Sequence, residues 1–420
     1  MHLERWQQIP SGTRDLLPDE TARVREVVGG ILGRVRRWGY REVTTPTLEY
    51  LDVLVRGEGS AAGDSLFKLV DRGGELLALR PEITTPVARL VATRLRGTAL
   101  PLRLAYAGQV FRWREAGSAR LREFPQVGCE LIGAGTLEAD AEIVTMAVEA
   151  LQATGVGQFS ISLGHVGFLR GLLAGLDLPE PELEDVRALL YQKDFVGLRR
   201  LLETQRAAPS HVRALLALPT LQGPSALEEA GRLADAPEVR AVVQDLAALQ
   251  RMLRASGAWD AVTVDLSIIR DFDYYTGIVF EGHTPTLGVP LLGGGRYDRL
   301  LERFGVSWPA TGFAVRVERV LSAEEGAVDA WAPDAVVAFE NGSREAALAC
   351  ARALRAHDLT VAVEVQGRAW DVVAREAIAR GVERALLVRG QAVVVRERDG
   401  REHTVALADL VGPAGEETTS

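Results

Sequence analysis

The chain is poor in the features of an exported or membrane-bound protein. Its two cysteines, Cys129 and Cys350, are too few and too far apart for a disulfide framework or a Cys-x-x-Cys metal site. No stretch approaches the ~18 uninterrupted apolar residues that a membrane span requires. The opening MHLERWQQIPSG is polar and lacks the apolar centre of a signal peptide, so cytoplasmic residence is expected. Lysine is almost absent: only Lys68 and Lys193 stand among 48 basic residues. The net charge of −9 argues against a broad nucleic-acid surface. No His-Glu-x-x-His, Cys/His ligand spacing or phosphate loop ending in Lys-Ser/Thr stands out, so neither a metal nor a cofactor is expected.

What is present is an ordinary globular composition, 47% apolar and 25% charged over 420 residues, enough for two or three domains. Apolar residues at Val24, Val27, Val28, Ile31, Leu32 and Val35 predict a helix from Asp19 or Thr21 to Trp38, closed by Gly39. REVTTPTLEY reads as a strand that Pro46 demotes to an edge. A hairpin is expected around Arg72–Gly74, a helix from Thr84 to Leu95, and strands at Leu102–Gln109, Phe111–Arg114 and Gln126–Ile132. Residues 164–255 are nearly all helical and interrupt two halves of a sheet, which reads as an insertion. Residues 1–325 therefore form one α+β domain, an antiparallel sheet flanked by helices with that insertion. Beyond a linker, 333–412 alternates strand and helix as a small α/β domain, and 413–420 reads as a disordered tail.

Candidate site residues gather in a few segments. Gln126 and Glu130 lie four apart on a mostly apolar strand, hence on one face, and buried polar side chains of this kind need partners. Glu82 and Thr84 sit at a strand-to-helix turn, where they suit either an ammonium group or a plain helix cap. Tyr274 and Tyr275 are adjacent in RDFDYYTGIVFE, read as a strand, which predicts that they face opposite ways. Arg112, Arg114, Arg120 and Arg122 crowd one loop, and Arg319 ends GFAVRVER; such arginines can clamp phosphates. GGGRYD (Gly293–Asp298) permits a tight turn or close backbone approach. His165 reads as a turn or capping residue.

These segments resemble, in order and spacing, the motifs of histidyl-tRNA synthetase and its class II relatives: IPSGTRDLLP, GYREVTTPTLE, RPEITTPVAR, FRWREAGSARLREFPQ and GFAVRVER. The resemblance implies a class II synthetase-like fold whose C-terminal part is loosely similar to an anticodon-binding domain. It also implies that Glu82, Thr84, Gln126, Glu130, Tyr274 and Tyr275 bind histidine. Arg112 and Arg319 fall where the synthetases contact ATP, and Arg270 matches their catalytic arginine. Departures gather on the nucleotide side. Ile83 and Arg316 replace glycines, Arg114 replaces a glutamate, Ala119 and Arg120 replace a Gly-Arg pair, and Pro125 replaces a histidine. A side chain in place of glycine is expected to obstruct a ligand's approach.

Histidine-side residues kept and nucleotide-side residues altered resemble the regulatory subunits of ATP phosphoribosyltransferase. GDSLFKLVDRGGELLALRPE, SLGHVGFLRGLL and PATGFAV are similar to them as well. That resemblance implies a non-catalytic chain with histidine as effector and a short-form catalytic subunit as partner. It implies a homodimer within a hetero-oligomer, and neither tRNA nor a membrane as partner. Retained Arg112, Arg270 and Arg319 favour the alternative, an active histidyl-tRNA synthetase.

Overall fold

A computed structural model describes residues 4–58, 65–113, 121–233, 236–268, 274–324 and 332–411. The chain divides into two compact units, Met1–Asp15 with Ala22–Gly326 and Leu16–Thr21 with Ala327–Ser420. Arg114, Ala119, Arg120, Arg270 and the tail 413–420 lie outside the described residues.

The first part of the chain runs α1 (Pro18–Arg37), β1 (Arg41–Glu42), β2 (Leu48–Tyr50), α2 (Leu51–Glu58), β3 (Lys68–Val70), β4 (Leu76–Leu79), α3 (Thr84–Arg94), β5 (Leu102–Phe111), β6 (Glu123–Ile132), α4 (Leu137–Gln152) and β7 (Ser160–His165). Six helices follow: α5 (Val166–Ala174), α6 (Glu180–Tyr191), α7 (Phe195–Thr204), α8 (Pro209–Ala217), α9 (Ala226–Leu233) and α10 (Pro237–Ala255). Then come β8 (Val262–Val264), β9 (Ile278–His283), β10 (Leu292–Arg296), β11 (Ala310–Arg316) and α11 (Val317–Ala323).

Eight strands form the main sheet in the order β1-β5-β6-β11-β10-β9-β7-β8. The six from β5 to β7 are antiparallel throughout, whereas β1 and β8 join the two edges in parallel, so the sheet is mixed. A second sheet, β2-β4-β3, contains the expected hairpin. The segment read as one strand, REVTTPTLEY, divides between the two sheets, since proline at 46 cannot extend a ladder. Conversely, the strands expected at 102–109 and 111–114 are one, β5. Two strands went unrecognised: β10 and β11 carry Gly293, Gly294, Gly295 and Gly312, and glycine weakens any strand signal.

Alternation along β6 sets up the two faces. Val127, Cys129 and Leu131 face a large core that includes α1's Val27, Ile31 and Val35 and α4's Ile143, Val144 and Ala147. On the other face Phe124 and Ile132 join Ile83, Val87, Tyr106 and Tyr297 in a separate core. Gln126 and Glu130 belong to this second face by the period of two.

Arg296 ties these elements together. Its guanidinium, almost fully buried, ion-pairs Asp140 at 2.8 Å and Asp298 at 3.2 Å. It also donates to the carbonyls of Ala134 and Thr136, binding β10 to the start of α4. Burial nonetheless raises the Asp140 pKa to about 6, against the lowering effect of Arg296.

The other unit contains β12 (Ala335–Phe339), α12 (Arg344–Ala356), β13 (Val361–Val363), α13 (Trp370–Ala379), β14 (Arg384–Arg389), β15 (Ala392–Glu397), β16 (Glu402–Ala406) and α14 (Leu407–Val411). Its five-stranded sheet is parallel at β13-β12-β14 and antiparallel at β14-β15-β16.

Replacing Arg296 by methionine leaves Asp140 buried without its partner. Urea denaturation should show a loss of about 3–5 kcal/mol, the usual cost of breaking a buried pair from one side. A loss well under about 1 kcal/mol, the scale of an exposed pair, would mean that the clamp is dispensable.

Candidate functional site

β6 carries Glu130 at the centre of the main sheet, opposite Leu104 of β5 and Gly312 of β11. Its carboxyl is 1% exposed. Tyr106 of β5 donates to one oxygen at 2.9 Å, and Tyr297, just past β10, donates to the other. Burial raises the Glu130 pKa to about 8; the hydrogen bonds from Tyr297, Thr84 and Tyr106 oppose that rise, and the nearby Glu82 charge adds to it. Room for the carboxyl depends on Gly312, because a Cβ there would meet Glu130 Oε2 at 1.8 Å and the Cys129 carbonyl at 2.4 Å.

The carboxyl lies at the wall of a cleft of about 2130 Å³. Glu82, Thr84, Gln126, Tyr274 and Tyr275 line the same cleft. Gln126 is 5% exposed, and its Oε1 is buried without a hydrogen-bond partner. Such an acceptor is costly unless a ligand donor meets it. Glu82 accepts the Thr85 N–H with both oxygens, at 3.0 and 3.1 Å, so it caps α3 while also lining the cleft, and a carboxylate so engaged keeps further acceptor capacity. Thr84 Oγ1 lies 3.5 Å from the Tyr106 hydroxyl.

The two tyrosines correct the sequence reading. They precede β9 rather than lie in it, so strand alternation does not apply, and both rings line the cleft. Tyr274 stacks on Tyr297 at 5.4 Å and meets Tyr275 edge-on at 4.9 Å. Gly295 makes this possible, since a Cβ would lie 2.7 Å from the Tyr275 ring. From the helical block, Arg170 donates to the Tyr275 carbonyl at 2.9 Å. His165 caps α5: its Nδ1 accepts the Gly167 N–H at 2.9 Å. Burial, with Arg170 and Arg296 nearby, lowers the His165 pKa to about 4 and keeps the ring neutral.

Arginines complete the lining, and Arg316 of β11 lies opposite Gln126 of β6 in register. Arg112, Arg316 and Arg319 line the cleft. Arg112 donates to the Pro81 carbonyl at 2.9 Å, and Arg319 to that of Pro290. Arg316 lies 3.9 Å from the centre of the Phe124 ring and pairs with Glu318 at 2.7 Å. Burial lowers the Arg316 pKa to about 10; Glu318 opposes this, while Arg319 and Arg112 reinforce it. Arg122 is not among the lining residues; it lies over the Trp113 ring at 4.3 Å and donates to the Ser11 carbonyl at 3.1 Å. Ile83, expected to obstruct the cleft, does not line it: its side chain is 1% exposed within the core beside Tyr106.

Sequence reasoning missed Tyr106, Tyr297 and Gly312. Gly128, opposite Tyr106, was an available signal, since a lone glycine in a buried strand marks a close approach. A Cβ there would lie 2.6 Å from the Tyr106 hydroxyl. Among the described residues no cluster of His, Cys, Asp and Glu could hold a metal ion, and no helix is long and apolar enough to cross a membrane.

Comparison with known proteins places this geometry in context. A histidyl-tRNA synthetase family profile matches residues 12–320. An ATP phosphoribosyltransferase regulatory subunit of Moorella thermoacetica is 43% identical over 377 residues, covering 89% of this chain and 96% of its own. The crystal structure of an ATP phosphoribosyltransferase regulatory subunit/histidyl-tRNA synthetase from Bacillus halodurans aligns with a TM-score of 0.81 at 34% identity, covering 91% of this chain and 98% of that one. A histidyl-tRNA synthetase from Nostoc sp. PCC 7120 shares the fold, with a TM-score of 0.82 at 21% identity over 96% of this chain and 97% of that one.

Because the folded pKa of Glu130 is raised to about 8, its contribution to stability is fully present below the ordinary carboxylate pKa and is lost as pH rises toward 8. Glu130→Gln cannot ionise. Thermal melts of the two proteins from pH 5 to 8 should therefore shift progressively in favour of the glutamine variant. A difference that stays constant with pH would contradict the buried, protonated carboxyl.

Proposed function

The chain belongs to the ATP phosphoribosyltransferase regulatory subunits, within the histidyl-tRNA synthetase family, and from that membership we propose that its cleft is a histidine sensor. It acts in histidine biosynthesis as a non-catalytic subunit. The observation that carries the sensor reading is the set of polar groups lining the cleft around Glu130. Glu130 and Tyr106 offer a protonatable acceptor–donor pair for an imidazole, and Gln126 Oε1 awaits a donor. Glu82 supplies negative charge for the α-ammonium group, while Tyr274 and Tyr275 wall the site with aromatic surface. Arg270, matched by resemblance to a catalytic arginine, lies outside the described residues and carries no part of this reading.

Bound histidine alters activity by favouring one state of the assembly over another, and it can do so only through differential affinity. The partner is the short-form catalytic subunit, joined to a homodimer of this chain in a hetero-oligomer and held in the cytoplasm. tRNA has no part in it. Arg368, Arg384, Arg389, Arg396, Arg398 and Arg401 of the C-terminal unit all pair with carboxylates of the same unit, which supports that reading. Nucleic-acid binding draws instead on unneutralised basic charge.

The purified chain should show no histidine-dependent ATP–pyrophosphate exchange, and robust exchange would overturn the regulatory reading in favour of an active synthetase. Glu130→Gln and Tyr275→Ala should each weaken histidine inhibition of the complex by roughly 10-fold, the scale of one lost hydrogen bond for the first and of a lost aromatic contact for the second. Assembly with the catalytic subunit, followed by size-exclusion chromatography, should persist. Unchanged inhibition in both variants would count against this site.

A further inference from the structure

Helix α5 joins the tyrosine segment to the rest of the helical block, and it does so with two different faces. β7 ends at His165, opposite Ile278 of β9, and the chain turns into α5 at the next residue. The ladder stops there, so the helix meets the carbonyls that precede β9. Val166, whose N–H is among those a helix start leaves unpaired, donates to the Gly277 carbonyl at 3.0 Å. Arg170, one turn on and hence on the same face, donates to the Tyr275 carbonyl at 2.9 Å. Between them, the Thr276 N–H goes to the Arg296 carbonyl at the end of β10, at 2.7 Å.

Gly167, Gly171 and Gly175 repeat the four-residue spacing on a neighbouring face of α5. A Cβ at Gly171 would lie 2.6 Å from the Val239 side chain of α10 and 3.6 Å from its backbone nitrogen. One at Gly167 would lie 3.1 Å from Val242 of α10, and one at Gly175 would lie 2.2 Å from the His211 ring of α8. The remaining side, with Phe168, Leu169 and Leu172, is buried in the large core. Interiors packed this closely transmit a displacement instead of absorbing it.

We propose that α5 carries occupancy of the histidine pocket into the helical block, with Arg170 as its positioning residue. The guanidinium sets the Tyr275 backbone, and the glycine face seats α5 on α10 and α8. A shift of Tyr275 onto a ligand therefore moves α5, and α5 moves the helices behind it. A ligand changes the state of an assembly only where the two states differ in their contacts with it, and Tyr275 is the contact that α5 holds. The inference deepens the histidine-sensor reading and rests on it for the identity of the ligand.

Hydrogen–deuterium exchange of the full chain with and without histidine tests it, in the wild type, Arg170→Met and Arg170→Lys, alongside isothermal titration with histidine. In the wild type, histidine at about ten times its Kd should slow exchange in α5 and α10 by up to about tenfold, beyond any slowing in α1. In Arg170→Met that excess should vanish, and histidine should bind about tenfold more weakly, the scale of one hydrogen bond from a charged group. Arg170→Lys keeps a donor and should retain the excess. A hydrogen bond with a structural part alone would change exchange with and without histidine alike. An excess that survives in the methionine variant therefore overturns the proposal, as does its loss in the lysine variant. The wild type decides by itself where a variant fails to fold. Histidine that binds without slowing α5 more than α1 overturns this inference and leaves the sensor reading standing. A wild type that binds no histidine sinks the sensor reading, and this inference with it.

Discussion

The Glu130 carboxyl is buried in the middle of an eight-stranded sheet, held by hydroxyls from two other stretches of chain. Taking a carboxyl out of water favours its neutral form and is tolerated only where its oxygens find donors. Tyr106 meets that need from β5 and Tyr297 from the end of β10, while Gly312 of β11 leaves the space. The register of four strands is therefore constrained by one side chain. Tyr274 follows, because it stacks on the tyrosine that holds the carboxyl, and Tyr275 packs into the room that Gly295 leaves beside it.

The cleft has two electrostatic characters. One group comprises a buried carboxyl raised to about 8, an amide oxygen lacking a donor and a carboxylate that caps α3. Those groups suit a ligand rich in N–H groups. Three guanidinium groups line the same cleft, one of them stacked on a ring and pulled down to about 10 by burial.

Much of this was legible in sequence wherever the signal was local. The face of α1, the β3–β4 hairpin and the shared face of Gln126 and Glu130 follow from spacings of a few residues. Glycine-rich β10 and β11 were illegible because their strand character comes from neighbours, not from propensity. Ile83 and Arg316 show the same limit at single positions. Both stand where glycine was expected and both predicted obstruction, yet one side chain turns into the core and the other lies in the cleft.

By itself the sequence determined which residue types the site contains and which family's motifs they follow, since identity and order are written along the chain. Tertiary structure alone decided what those residues do to one another. The donors to Glu130 come from positions 24 and 167 residues away, and the ring beneath Arg316 belongs to another strand. Burial, hydrogen-bond partners and charge neighbours are properties of that assembly, because they depend on distances that exist only once the strands are paired.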